Sequence, residues 1–171
     1  MDAPPTGRRN GDVNRTRRLR RQPPRNAFCE LRKRNGGRFR RSGVQVSGSF
    51  HHPVVTERKV TFTREQIAAY AEAGGDHNPI HLDDDFARSV GLPGVIAHGL
   101  LQMGILGTVA AEAAGGPGHL KRLLVRFAGM VLPGDTVTFT ATPDGEGRLE
   151  LSAVNQKGEA VLTKASADYE T

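Results

Sequence analysis

The eighteen residues from Ala97 to Ala114 are apolar on nearly every face of a helix, with Leu100, Leu101, Met103, Ile105 and Val109 spread around it. Gln102 and Glu112 interrupt the run, and Gly115-Gly116-Pro117-Gly118 ends it. A helix apolar all round must be covered on most sides. It is shorter than the ~20 apolar residues of a spanning helix and no other run approaches that length, so a membrane segment is not expected. Something else in the chain has to wrap it.

The chain beyond this helix reads as strand. Leu120–Val131 forms a long strand with a candidate bulge at Gly129, and Leu132-Pro133-Gly134-Asp135 a turn. Thr136–Thr142 alternates Val137, Phe139 and Ala141 against threonine, and Arg148–Asn155 and Glu159–Asp168 complete a run of four strands, read here as an antiparallel meander. Ahead of the helix, Val54–Phe62 is rich in β-branched residues and reads as a first strand. Thr63-Arg64-Glu65-Gln66 is a capping box that starts a helix closed by Gly74-Gly75. Residues 76–82 form a polar loop, and Asp83–Val90 a short helix with an acidic start, broken by Gly91-Leu92-Pro93-Gly94. Strand, helices and then strands define an α+β fold, one curved sheet on one central helix.

The first 49 residues have no such pattern. Residues 1–48 hold 14 of the 24 Lys and Arg but three of the 18 acids, a net of +11, whereas the rest carry 10 basic and 15 acidic residues, a net of −5. The pI of about 10.1 therefore belongs to an Arg/Pro/Gly-rich tail, expected to be disordered, and residues 50–171 form a single domain. A solvated tail and translated sequence upstream of a start near Val44, Val46 or Val54 explain it best. A nucleic-acid arm has only Phe28 and Phe39 to offer for stacking, and a mitochondrial presequence would be richer in Ser. One cysteine cannot form an internal disulfide, and no apolar stretch resembles a secretory signal, so a cytoplasmic location is expected.

The chemistry-bearing residues crowd between Tyr70 and Gly104. Asp76-His77-Asn78-Pro79-Ile80-His81 places a carboxylate and an imidazole five residues apart in a Pro-stiffened loop, where both can hold and exchange protons with one water. Ala97-His98-Gly99 opens the long helix, where free amides suit a developing oxyanion and a glycine admits a carbonyl. Each piece has a plainer reading. Asp76 could cap the turn, His81 could be a satisfied polar residue, His98 could be a capping or packing residue, and Asp83-Asp84-Asp85 could be helix-start charge. His77, His81 and Asp83 imitate metal ligands but come with no visible supporting shell, and no metal is expected.

Two separated blocks, YAEAGGDHNPIHLD (Tyr70–Asp83) and GLPGVIAHGLLQMG (Gly91–Gly104), resemble the MaoC-like (R)-specific enoyl-CoA hydratases and (3R)-hydroxyacyl-thioester dehydratases, and the first is close to the hydratase-2 motif. The resemblance covers roughly residues 54–170 and departs at Gly74, where the family often has Ser. It implies the hot-dog fold, Asp76 and His81 as a catalytic dyad, the Gly99 amide as donor to the thioester carbonyl with His98 as a second oxyanion or substrate-binding residue, and Asn78 as loop support. It implies a lyase of fatty-acid or related acyl metabolism that hydrates trans-2-enoyl thioesters of CoA or acyl-carrier protein without a cofactor, as a homodimer or paired with a related subunit. A hot-dog thioesterase and a non-catalytic subunit of a heterodimeric dehydratase are the alternatives. The first need not keep both Asp76 and His81, and an intact dyad argues against the second.

Overall fold

The computed structural model describes residues 28–32 and 53–170; expectations for the rest of the tail lie outside the described residues. Among the described residues six strands, β1 Phe28–Arg32, β2 Thr56–Thr61, β3 Leu120–Phe127, β4 Thr136–Pro143, β5 Arg148–Asn155 and β6 Ala160–Tyr169, form one antiparallel sheet in the order β1-β3-β6-β5-β4-β2. Three α-helices, α1 Arg64–Gly74, α2 Asp84–Ser89 and α3 Gly99–Ala113, lie between β2 and β3 in sequence. The core forms where α3 meets the sheet. Met103, Leu106, Val109 and Ala110 of the helix pack with Val137, Phe139, Leu149, Leu151 and Ala153 of the strands. Phe62 completes this layer, its ring 6.4 Å from that of Phe139.

The local signals act as expected at the first helix. Thr63 Oγ1 accepts from the Gln66 amide, Gln66 Oε1 accepts from the Thr63 amide, and Gly75 closes the helix at φ 68°. On β4, Val137, Phe139 and Ala141 face the core, as their alternation requires.

Three expectations change. The four later strands are not a meander, because β3 pairs with β6 and the place beside β4 is taken by β2. The turn at Leu132–Asp135 looks like a hairpin, but the chain leaves the sheet there. The Ala97 amide donates to Val131 O, and the amides of Phe62 and Gly134 donate to Asp135 O and Phe62 O. The long helix is not covered all round: Leu100, Gly104, Thr108 and Glu112, at i, i+4 spacing, are exposed, and Glu112 pairs with Arg58. Finally, Phe28–Arg32, in the segment read as patternless, pairs with β3. A sheet edge accepts a strand through main-chain donors and acceptors alone, so no side-chain alternation is needed to dock one. Glu30 also takes two bonds from the Arg122 guanidinium at 3.1 and 3.3 Å.

Candidate active site

The loop between α1 and α2 is stiffened from within. The Asn78 side chain accepts from the Ile80 amide at 3.3 Å and caps a single 3-10 turn, Pro79–His81, with proline at its start. Asp76 Oδ1 lies 3.4 Å from the Asn78 amide, so the turn-capping role of Asp76 is present alongside whatever else it does. This turn delivers His81 to the interior, 8% exposed, while Asp76 stays at the surface.

His81 is held by the segment leading into α3. Its Nδ1–H donates to the Ile96 carbonyl at 2.7 Å, and that assignment leaves Nε2 with the free lone pair. Asp84 holds this segment in turn. Its carboxylate accepts from the Val95 amide at 2.8 Å and pairs with Arg64 of α1 at 2.5 Å. The Val95 bond, with the Arg64 pairing behind it, keeps the Asp84 carboxyl below its usual range. Burial pushes the His81 imidazole below its ordinary value and the His98 ring adds to this, while the Ile96 carbonyl and the Asp76 carboxylate oppose it.

His98 lies behind the pair. It is 2% exposed, its Nε2–H donates to the Asp76 main-chain carbonyl at 3.0 Å, and its ring stacks on His81 with centroids 3.8 Å apart. The Tyr70 ring of α1 lies against it at 5.0 Å. His98 Nδ1 and Gln102 Oε1, one turn along α3, are buried with no hydrogen-bond partner among the described residues. Gly99 begins α3, and the amides of Gly99, Leu100 and Leu101 have no acceptor among the described residues. A Cβ on Gly99 would lie 3.0 Å from the Phe127 ring, so the glycine is also a packing requirement.

The structure thus gathers Asp76, His81, His98 and Gly99, with Asn78 in support. His77 turns away to Glu72, and Asp83 is spent capping α2, so the set His77, His81 and Asp83 does not converge. One ligand atom each of Asp76, His81 and His98 lies within 4.8 Å of the others. One nitrogen of each ring is bonded to a main-chain carbonyl, and His98 Nδ1 is left without a partner among the described residues. An apolar cavity of about 380 Å³ adjoins the loop, lined by Ile80, Val90, Leu92, Ile96, Phe127 and Met130. The larger groove, about 630 Å³, runs beside Gly104, Gly107 and β3, away from the Asp–His pair. The sequence signals did not single out Asp84 or Phe127. Asp84 sits among three consecutive acids with ordinary helix-start roles, and nothing local marks Phe127 as the ring against Gly99.

A single long helix wrapped by an antiparallel sheet, with an Asp–His pair near the helix start, makes this a hot-dog protein. The MaoC-like domain family matches residues 46–165, and the chain belongs to that family. It is 36% identical over 110 residues to the peroxisomal hydratase-dehydrogenase-epimerase of Neurospora crassa, covering 64% of this chain and 12% of that protein. It is 30% identical over 102 residues to the peroxisomal enoyl-CoA hydratase 2 of Arabidopsis thaliana, covering 58% and 33%. Among solved structures, the (R)-hydratase from A. caviae involved in PHA biosynthesis superposes with a TM-score of 0.62 at 25% identity, over 71% of this chain and 97% of that one. The chain thus spans a third or less of the length of these two curated relatives. Among the described residues, no helix is long and apolar enough to cross a membrane.

Proposed function

We propose that this chain reversibly adds water across trans-2-enoyl thioesters to give (3R)-3-hydroxyacyl thioesters. The observation that carries the reading is the placement of His81, its Nε2 unengaged and its ring close to Asp76, at the start of a helix whose first amides have no acceptor among the described residues. His81 Nε2 takes a proton from water as the oxygen bonds to C3. The C2–C3 π electrons move toward the carbonyl, and the Gly99 amide stabilises the enolate-like oxygen with the helix dipole behind it. Asp76 relays that proton from His81 to C2, which returns both groups to their starting state. The balance is one water added, its hydroxyl at C3 and one hydrogen at C2. The apolar cavity beside the loop suits the hydrocarbon portion of such a substrate.

The thioester is carried by CoA or acyl-carrier protein. The minimal active unit is a dimer, either of this chain or with a related hot-dog subunit. Support comes from the mainly apolar groove beside Gly104, Gly107, Leu120 and Leu123, which a neighbouring subunit would cover. A cytoplasmic location, with no nucleic-acid partner, completes the reading. Assay of the purified protein with crotonyl-CoA and longer enoyl-CoAs, following loss of the enoyl absorbance, tests it. Thioester hydrolysis with no hydration would favour a thioesterase instead.

A further inference from the structure

We propose that His98 is the positioning residue of the dyad, fixing the Asp76 main chain through its Nε2–H and the His81 ring by stacking. The inference rests on the hydration reading and assigns His98 a structural hold on both partners in place of a substrate contact. Four observations converge on it. The ring is 2% exposed, which leaves little room for substrate against it. Among the described residues, its one side-chain hydrogen bond goes to the carbonyl of Asp76 itself. Its face lies 3.8 Å from His81, the other member of the pair. Its own rotation is limited by Tyr70 and by the start of α3, where it occupies the N-cap position without making a side-chain cap bond.

Asp76 and His81 share one loop, joined by Asn78, whose amide lies 3.4 Å from Asp76 Oδ1 and whose carbonyl accepts from the His81 amide at 3.0 Å, but their side chains are held differently. Asp76 belongs to an exposed loop, whereas His81 hangs on the Ile96 carbonyl. Outside that loop, the described side chain that meets both is His98. Relative placement of two proton-transfer groups is worth much of their effect, and a displacement near 1 Å can cost about 10²-fold. A buried imidazole whose remaining nitrogen faces no donor is an expensive choice for plain packing, where phenylalanine would fill similar space without an orphaned acceptor.

Two substitutions separate the contacts. His98→Phe keeps a ring to stack and loses the donor, while His98→Gln keeps an N–H near the Nε2 position and loses the ring. We expect kcat for crotonyl-CoA to fall about 10- to 100-fold in His98→Phe, with KM within about threefold, and His98→Gln to recover part of the loss. A readout independent of turnover is the ¹⁵N imidazole resonance of His81. The groups facing it are the Asp76 carboxylate of the loop, the Ile96 carbonyl and His98 at the start of α3, with Tyr70 beside His98. Since His98 pushes the His81 imidazole downward, its titration midpoint should rise in both variants. Native kcat in His98→Phe, a rise in KM with kcat unchanged, or an unmoved His81 titration would each overturn the assignment. If His98→Phe does not fold, His98→Gln decides, and native kcat with an unmoved midpoint there overturns it. Absence of hydration by the native chain together with a shifted His81 midpoint would sink the hydration reading while leaving the positioning role in place.

Discussion

At the scale of single residues, Asp76 and His81 carry the proton traffic, and their removal should be felt in turnover far more than in folding. Asp76→Asn and His81→Gln should each lower kcat by about 10²–10⁴-fold while the melting transition persists, since neither side chain belongs to the apolar core. Near-native rates in either variant would remove that residue from the dyad. The state of His81 also sets a pH dependence. Burial holds the folded imidazole below its ordinary 6.5, so the base form survives to lower pH and the acid limb of kcat/KM should fall below that value. The same shift fixes a sign for stability. Below 6.5 the unfolded chain takes up a proton that the folded chain still refuses, so stability drops through the window down to the folded value and levels off beneath it. An acid limb above 6.5 would show that burial does not govern this group.

At the scale of elements, the start of α3 is the tightest constraint. Gly99→Ala would bring a methyl to 3.0 Å from the Phe127 ring at the end of β3. Such overpacking costs about 1–3 kcal/mol, and melting should fall by about 2–4 °C for each kcal/mol. Turnover should fall with it, and Phe127→Leu in the same chain should restore melting. An unchanged melting temperature in Gly99→Ala would mean that the ring yields freely. Much of this element was legible in the sequence, because a capping box, a helix-ending glycine and a glycine-bounded apolar run are local signals. The Asp76-to-His81 spacing was legible for the same reason, being set within one loop. The neighbours of that loop were not. Asp84 reaches Val95 across eleven residues, and Phe127 reaches Gly99 from another element, so only folding brings them together. Strand order failed for a like reason. The partner of β3 lies beyond two intervening strands, and Lys164, at φ 46° near the register shifts of β6, gives no sequence sign that the strand is irregular there.

At the scale of the molecule, every buried apolar residue of the core cluster lies between Phe62 and Tyr169. A chain beginning at Ser49 should therefore fold and turn over like the whole, although it gives up β1 and the Glu30–Arg122 pair at the sheet edge. Calorimetry and the enoyl assay would check this, and a large loss of either would make the tail part of the working fold. Assembly has its own test. Sedimentation with a parallel assay across dilution should show activity vanishing as a dimer dissociates, whereas a fully active monomer would remove the second subunit from the mechanism. The central proposal, that Asp76 and His81 add water to one face of an enoyl thioester, meets its most direct test in the product. Crotonyl-CoA incubated with the purified native protein should lose its enoyl absorbance and yield 3-hydroxybutyryl-CoA of the R configuration by chiral analysis, with the yield abolished in Asp76→Asn and His81→Gln. An S product, or hydration that persists in both variants, would contradict it.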